Sequence, residues 1–236
     1  MTPEVLPAAT WADLVTERLV DAIAADPSLV LCLPTGSTPL PVFDRLPDRL
    51  RARDVSTAGV TIVGLDEFLG LPAGHPARCD AVLRRRLLDR LDMPVGRWIG
   101  FEVDAPDPDE ACAALDAAVA AAGGIDLVVL GLGANGHIGM NEPGSAADAP
   151  TRVVALAPST REAAVGYGAD PPPTHGVTLG LASILAAREV WLLATGAHKA
   201  VILRRLVDQP PSPAIPASWL LDHPNLRVIV DDAAFS

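Results

Sequence analysis

Short apolar runs alternate with longer amphipathic stretches along this chain. The stretch Trp11–Ala25 and the stretch 79–91 carry apolar residues at helical spacing. Because buried strands separated by helices form a parallel sheet covered on both faces, the pattern predicts a doubly wound, mostly parallel, Rossmann-like α/β fold. The runs that predict buried strands are 29–33, 60–65, 125–130, 189–194 and 226–230.

Residue types that begin and end helices support these elements. Asp107 is a predicted N-cap followed by proline, and Gly123 and Gly124 end that helix. The residues 159–162 form a second predicted capping box, and Pro39 lies in the first turn of the helix after the first strand. Without internal repeats or a long linker, residues 1–236 are expected to form a single domain.

Composition and charge exclude several classes of protein. Half of the residues are hydrophobic, but no apolar run reaches membrane-spanning length, and no secretory signal is recognisable at the N-terminus. The formal net charge of −11 argues against a nucleic-acid partner. Cys32, Cys79 and Cys112 fit neither a disulfide framework nor a zinc site, so a reduced cytoplasmic setting is expected.

Four unusual segments each follow directly on a predicted strand. In an open parallel sheet, ligands bind outside the carboxyl ends of the strands. The four segments should therefore meet at one edge of the sheet and form a binding site there. They are 34–39, 66–67, 131–143 and 195–199.

Two of these segments have the character of an anion site. Thr35, Gly36, Ser37 and Thr38 form a strand–turn–helix junction whose free N–H groups and helix dipole would attract an anion, although an ordinary capped helix start explains them equally well. Lys199 is the single lysine of the chain and lies in a predicted first helical turn. A cation is unfavourable there, and a bound anion nearby would explain the position of the lysine. The alternative is an ordinary solvated surface lysine.

Three side chains with acid–base chemistry follow the strands. His137 lies in a glycine-rich turn, with Gly133 able to approach a ligand closely and Glu142 near enough to orient the imidazole. Asp66 is a candidate base, although a loop-capping role is possible for it, and His137 could be an ordinary core histidine. The remaining histidines are interpreted as loop or surface residues: His75, His175, His198 and His223.

At this point the chain resembles the glucosamine-6-phosphate deaminases, in the wider family that includes 6-phosphogluconolactonases. The resemblance is carried by Leu33–Pro39, Leu65–Leu71, Gly131–Pro143 and Thr195–Ala200, in order and with compatible spacing, with a further likeness at 216–218. It implies an aldose–ketose isomerisation of a small-molecule amino-sugar phosphate coupled to loss of ammonia, without a metal or organic cofactor.

The resemblance also implies roles for individual residues. Asp66 would move a proton between C2 and C1 of the open sugar. His137 would assist ring opening, held and polarised by Asn135 and Glu142. The stretch 35–38 and Lys199 would bind the 6-phosphate.

Some positions depart from the family pattern. Many members have aspartate in place of Asn135, and a phosphate-binding arginine in place of Gly166. The segment 158–176 is expected to form a short lid, with Arg161 serving either the capping box or the ligand. Because Val154 replaces a basic residue beside Arg152, activation by an N-acetylated sugar phosphate is not expected.

Two other functions stay open at this level. A sugar-lactone hydrolase would use His137 as the base for water, and would not require the pair Asp66–Glu67. A non-catalytic sugar-phosphate sensor would bind its ligand without turnover. The sequence leaves a monomer and a homo-oligomer equally possible.

Overall fold

The computed structural model describes residues 2–92, 94–104 and 106–235. Within these ranges the strands, numbered in chain order, form two sheets. The strands are β1 (Glu4–Leu6), β2 (Val30–Leu33), β3 (Thr61–Gly64), β4 (Asp66–Phe68), β5 (Arg97–Ile99), β6 (Leu127–Gly131), β7 (Arg152–Ala155), β8 (His175–Thr178), β9 (Glu189–Ala194) and β10 (Leu226–Asp231).

The main sheet has seven strands in the order β1-β10-β9-β6-β2-β3-β5. Every pair of neighbouring strands in it is parallel. The chain builds outward from β2 to β3 and β5, then returns to β6 and continues to β9 and β10. The order therefore reverses between β2 and β6, and this switch point leaves a crevice at the carboxyl ends of the two strands.

Helices cover both faces of the main sheet, so the predicted doubly wound α/β fold is confirmed. One face packs against α1, α2 and α3, and the other against α4, α6 and α7. The helices are α1 (Trp11–Ala25), α2 (Leu40–Ala52), α3 (Cys79–Arg86), α4 (Pro108–Ala121), α5 (Pro158–Gly166), α6 (Leu181–Leu185) and α7 (Ala200–Asp208).

Alternation along the strands divides the core into two layers. In β2, Leu31 and Leu33 pack on the α1 side, whereas Val30 and Cys32 pack on the α4 side. These four residues are all buried, which is why the strand reads as a continuous apolar run. None of the helices in the described ranges is both long and apolar enough to span a bilayer.

A second, three-stranded antiparallel sheet has the order β4-β8-β7. The sequence predicted that Asp66 and Glu67 end the strand at 60–65. Instead β3 stops at Gly64, and Asp66 begins β4 in the other sheet, paired with Thr178 of β8. The chain therefore changes sheets at Leu65, directly beside the crevice.

Three other local predictions are corrected. The helix predicted over 79–91 ends at Arg86 and is followed by a short 3-10 turn. The residues 159–162 form no capping box, because α5 begins at Pro158 with Ala157 as its N-cap and has no side-chain cap. His223 is buried, and its Nε2 lies 2.9 Å from the carbonyl of Ala187, so it is a core residue within a turn.

Candidate active site

A cavity of about 300 Å³ lies at the carboxyl ends of β2, β3, β6 and β9. This volume is within the range of small-molecule sites. The four segments that follow these strands all contribute to its wall, as the sequence predicted. The predicted site residues that line the cavity are Thr35, Gly36, Ser37, Thr38, Asp66, Gly133, His137 and Lys199.

One end of the cavity is electropositive. The stretch 35–38 joins β2 to the N-terminal end of α2, where backbone N–H groups and the helix dipole are electropositive. Lys199 reaches the same cavity from the start of α7. The Lys199 ammonium is half-buried, and its desolvation lowers its pKa. A bound anion would restore the stabilisation that the ammonium lost on leaving water.

Asp66 places a titratable carboxyl in the wall of the cavity. Desolvation raises the pKa of its carboxyl to about 6, against the opposing effects of a hydrogen bond from Cys79 and the charge of His137. Such a carboxyl is largely ionised at neutral pH and still basic enough to accept a proton from carbon. The neighbouring Glu67 faces away from the cavity and caps α3.

His137 reaches the cavity because glycine leaves room for it. A Cβ at Gly133 would collide with the imidazole ring, so only glycine fits at that position. Gly136 and Gly139 turn the chain with φ values of +89° and +58°, a region that favours glycine. The glycine-rich turn therefore places the imidazole against its own backbone and directs it toward the cavity.

Asn135 and Glu142 lie behind the imidazole, away from the cavity wall. Asn135 Oδ1 is 2.8 Å from His137 Nδ1, and Asn135 Nδ2 donates to Glu142 Oε2 at 2.9 Å. Glu142 Oε2 is itself 3.6 Å from His137 Nδ1. Because Nδ1 faces two acceptors, it carries the proton, and Nε2 is the nitrogen available to a ligand.

Glu142 is the junction between this histidine and α5. Its Oε1 accepts the backbone N–H of Ala157 at 3.1 Å and the hydroxyl of Thr160 at 2.5 Å. Burial opposes ionisation of Glu142, but hydrogen bonds from His137, Thr160 and Asn135 outweigh it and lower the pKa to about 2. Glu142 therefore stays ionised throughout the physiological pH range and holds His137 and α5 together.

Helix α5 closes one side of the cavity. Ser159, Thr160, Ala163 and Tyr167 line it, and Tyr167 is nevertheless 43% exposed. Gly166 lies three residues after Ala163, hence on the same side of the helix, and a Cβ there would meet open space. Lys199 is accordingly the one lysine or arginine among the described residues that line the cavity.

The two arginines singled out in the sequence lie elsewhere. Arg161 is absent from the cavity wall, and its Nε is buried without a partner among the described residues. Arg152 is used inside the protein, where its guanidinium donates to Asn141 Oδ1 at 2.9 Å and to Ser145 Oγ at 2.7 Å. Val154, also in β7, packs against a hydrophobic cluster that includes Ala164 of α5.

Sequence reasoning did not identify four polar residues at this site. Cys79, Ser159 and Tyr167 line the cavity, and Thr160 lines it and bonds Glu142. The isolated tyrosine was a usable signal, because Tyr167 is the single tyrosine of the chain. Cys79 and Thr160 had no such signal, since their contacts depend on how α3 and α5 pack. In the described part of the chain no group of three potential ligands is arranged to hold a metal ion.

Comparison with known proteins agrees with this geometry. Residues 4–229 match the profile of the family described as glucosamine-6-phosphate isomerases/6-phosphogluconolactonase. The chain belongs to this family. A glucosamine-6-phosphate deaminase of Beutenbergia cavernae is 42% identical over 232 residues, which cover 97% of this chain and 89% of that protein. The Streptomyces coelicolor enzyme of the same name is 41% identical over 227 residues, 95% and 87% of the two chains.

Solved structures separate the two branches of the family. A monomeric glucosamine-6-phosphate deaminase superposes with a TM-score of 0.94 at 30% identity, covering 99% of this chain and 98% of that one. The 6-phosphogluconolactonase of Thermotoga maritima superposes with a TM-score of 0.78 at 20% identity, covering 98% and 99% of the two chains. The lactonase therefore shares the fold, whereas the deaminase also shares substantial sequence.

Proposed function

We propose that this protein is an enzyme that converts glucosamine 6-phosphate, or a close analogue, to the ketose phosphate and ammonia. The observation that carries the proposal is the juxtaposition in one cavity of Asp66, His137 and an anion-binding end with Lys199. Curated relatives at 40–42% identity are named glucosamine-6-phosphate deaminases, which supports the same reaction class.

In this proposal His137 begins the reaction. Its Nε2, the nitrogen not held by Asn135, moves a proton between the ring oxygen O5 and the hydroxyl O1 and so opens the sugar. Asn135 and Glu142 fix the imidazole in the tautomer that this step needs. Glu142 stays ionised and stabilises positive charge on the ring during the transfer.

Asp66 then carries out the isomerisation. Its carboxylate takes the proton from C2 of the open aldose, which gives an enediol-like intermediate, and returns a proton to C1. The nitrogen on C2 is left as an iminium group, which adds water and releases ammonia to give the ketose. A carboxyl whose pKa is about 6 can both accept and return that proton near neutral pH.

The 6-phosphate would bind at the anion-binding end of the cavity. The backbone of 35–38 and the Lys199 ammonium supply its ligands, and Gly133 lets the chain approach the sugar closely. With Gly166 on α5, no arginine among the described residues of the lid lines the cavity and could clamp the phosphate. The phosphate contributes less binding free energy here than it would with an additional bidentate arginine.

We propose further that residues 1–236 act as one unit, with the segment 158–176 as a lid over the sugar. Support comes from Tyr167, which lines the cavity while 43% exposed, and from the attachment of α5 to Glu142. We propose a cytoplasmic protein that acts on a small molecule and not on nucleic acid, in keeping with its net charge of −11.

A lactonase is the second candidate, because the scaffold and His137 would serve it equally. The position of Asp66 in the cavity favours the deaminase, since lactone hydrolysis removes no proton from carbon. A substrate panel tests the choice: glucosamine 6-phosphate, unphosphorylated glucosamine and 6-phosphogluconolactone, each followed for ammonia, ketose and acid release. Equal amounts of ammonia and ketose phosphate are expected from the first. Consumption of the lactone alone would reject the proposal.

A non-catalytic sensor is distinguished in the same panel. Such a protein would show a rise in unfolding temperature with glucosamine 6-phosphate, because a ligand that binds the folded state stabilises it. It would release no ammonia. Binding without turnover at pH 7–8 would therefore reject the enzymatic proposal and favour the sensor.

A further inference from the structure

Thr160, in the first turn of α5, bonds the carboxylate that lies behind the imidazole. Its hydroxyl donates to Glu142 Oε1 at 2.5 Å, a distance typical of a charge-assisted O–H···O⁻ hydrogen bond. Thr160 and Glu142 are both 9% exposed, so the bond is largely shielded from water. Loss of the hydroxyl would leave part of a buried, charged acceptor unsatisfied, which is more costly than the loss of a bond at the surface.

Glu142 divides its two oxygens between two parts of the molecule. Oε1 accepts from the start of α5, through the backbone N–H of Ala157 at 3.1 Å and the Thr160 hydroxyl. Oε2 faces the glycine-rich turn, where it accepts from Asn135 Nδ2 at 2.9 Å and lies 3.6 Å from His137 Nδ1. Because a carboxylate is rigid and planar, the contacts that fix Oε1 also fix the direction of Oε2.

Asn135 transmits this orientation to the imidazole. Its Nδ2 is held by Glu142 Oε2, so its Oδ1 faces His137 Nδ1 at 2.8 Å. If the amide turned over, it would present Nδ2 to the same ring nitrogen and favour the other tautomer of the ring. The position of Glu142 therefore determines which tautomer the Asn135 amide stabilises.

The main chain of Glu142 is anchored independently of α5. Its carbonyl accepts both the hydroxyl of Ser145 at 2.7 Å and the backbone N–H of Ser145 at 3.1 Å. Close by, the N–H of Gly144 donates to the carbonyl of Pro213 at 2.8 Å. A displacement of α5 would therefore remove both partners of Oε1 while the backbone of Glu142 stayed in place. The carboxyl group is the part that responds to the helix.

We propose that Thr160 is a positioning residue for His137, acting through Glu142 and Asn135, so that the imidazole is oriented for proton transfer while α5 is docked. The proposal rests on the proposed role of His137 in opening the sugar. Helix α5 also forms one side of the cavity. The element that encloses the ligand thus carries the hydroxyl that completes the support of the imidazole.

A role for Thr160 in α5 alone would have different consequences. The N-cap residue of this helix, Ala157, makes no side-chain cap, so the bond to Glu142 also attaches the helix to the rest of the protein. If attachment were its whole role, loss of the hydroxyl would loosen α5 and weaken ligand binding without changing the His137 ring. The tautomer of that ring therefore separates the two roles.

The test compares Thr160→Val, which keeps the branched shape and loses the hydroxyl, with Thr160→Ser, which keeps the hydroxyl. Ala164→Gly is the matched control, because it weakens the same helix at a buried residue that is not among the described residues lining the cavity. The tautomer of His137 is read from its ring ¹⁵N chemical shifts at about pH 8.5, where an imidazole is neutral. The signals are assigned by their loss in His137→Asn. Turnover of glucosamine 6-phosphate gives kcat and KM for each protein.

The wild-type ring should be mainly in the Nδ1–H form. In Thr160→Val the share of the Nε2–H form should rise, and kcat should fall roughly three- to ten-fold, by more than KM changes. Thr160→Ser should return both quantities toward wild type. Ala164→Gly should change KM more than kcat and keep the wild-type tautomer ratio. If Thr160→Val does not fold, Thr160→Ala takes its place as the variant without a hydroxyl.

Three results would overturn the proposal. One is a wild-type tautomer ratio in the variant without a hydroxyl. Another is a serine variant as impaired as the valine variant. The third is an equal tautomer change in Ala164→Gly, which would mean that the ring responds to any loosening of α5. The NMR measurement requires no substrate, so it decides the proposal even if the wild-type protein turns over no amino sugar. That last result would refute the proposed function alone.

Discussion

At the scale of single residues, the ionisation of Asp66 determines when the proposed base works. Desolvation raises the pKa of this carboxyl to about 6, whereas Glu142, which accepts several hydrogen bonds, has a pKa of about 2. Both carboxylates lie near His137, so their different environments assign them different tasks. In the proposed mechanism Asp66 exchanges protons with the ligand, and Glu142 keeps a fixed negative charge.

The acidic limb of the pH–rate profile should report Asp66. Because the base must be ionised, kcat/KM should fall as the pH drops below about 6, instead of near 4 where an unperturbed aspartate would titrate. The measurement is kcat/KM between pH 4.5 and 8, since kcat/KM reports the ionisations of the free enzyme, with the ionisation of the free substrate titrated separately and corrected for. A limb that begins below pH 5 would contradict the environment assigned to Asp66.

The amide of Asn135 fits this site better than a carboxylate would. Its Nδ2 donates to Glu142 Oε2, and its Oδ1 faces the His137 ring. In Asn135→Asp the donor is lost, and two carboxylates lie at hydrogen-bond distance. We expect the free energy of unfolding at pH 8 to fall by about 1–3 kcal/mol.

Lowering the pH should reduce the Asn135→Asp penalty, because the two carboxyls can then share a proton. Urea denaturation of the variant and the wild type at pH 8 and pH 5 measures the difference. Equal stability of the two proteins at pH 8 would mean that Glu142 does not depend on the Asn135 amide.

Candidate site residues were recognisable in the sequence where the residue type and its place after a strand were enough to suggest a role. His137, Asp66 and Lys199 each follow a strand that is buried on both faces, and such strands give an unambiguous apolar run. Cys79 and Thr160 were not recognisable. Cys79 reaches the cavity only through the packing of α3, and Glu142, the partner of Thr160, lies 18 residues away in sequence. A contact between elements leaves no local pattern.

At the scale of elements, the same limit explains which strands were predicted. The five buried strands of the main sheet were found, whereas β1 and β5 at its edges are three residues long and partly exposed. The strand β4 was merged with β3, because nothing in the sequence around Leu65 marks the change from one sheet to the other. That change places Asp66 at the cavity, so the position of the proposed base depends on tertiary pairing with β8.

A substitution in α5 tests whether the proposed lid lacks a cation for the phosphate. Gly166 lies on the cavity side of the helix with open space around it, so Gly166→Arg should fold and direct a guanidinium toward the phosphate. An added charge-assisted contact is worth about 1.5–3 kcal/mol, which corresponds to roughly a ten-fold or larger decrease in KM for the phosphorylated sugar. Steady-state kinetics with phosphorylated and unphosphorylated glucosamine measure this.

Val165→Arg is the control for that variant. Val165 is exposed and lies on the face of α5 away from the cavity-lining Ser159 and Ala163. An arginine at this position therefore adds the same charge without reaching the ligand. The decrease in KM should be confined to Gly166→Arg and to the phosphorylated substrate. An equal decrease in both variants would indicate long-range attraction instead of a contact.

At the scale of the whole molecule, the cavity at the switch point of the sheet lowers the free energy of unfolding, because it buries the Asp66 carboxyl. A carboxyl with a raised folded pKa binds its proton more tightly in the folded state than in the unfolded chain. Its favourable contribution is therefore complete below the unfolded pKa of 3.8 and is lost as pH rises through about 6. The folded protein should thus carry a stability cost at neutral pH because Asp66 is ionised there.

Asp66→Asn should remove that cost. At pH 8 the variant is expected to be more stable than the wild type by about 1–3 kcal/mol, because its side chain is never charged. The gain should disappear below pH 4, where the wild-type carboxyl is protonated. Urea denaturation at pH 8 and pH 3.5 measures both values. A variant less stable than the wild type at pH 8 would mean that Asp66 serves the fold.

The most direct measurement of the whole account is ammonia release from glucosamine 6-phosphate by the wild type and by Asp66→Asn, compared at equal folded concentration. The account predicts ammonia and ketose phosphate in equal amounts from the wild type. It predicts a decrease of roughly a hundred-fold or more in the variant, with unchanged or increased stability at pH 8. Ammonia release by the variant within about ten-fold of the wild type would contradict Asp66 as the base.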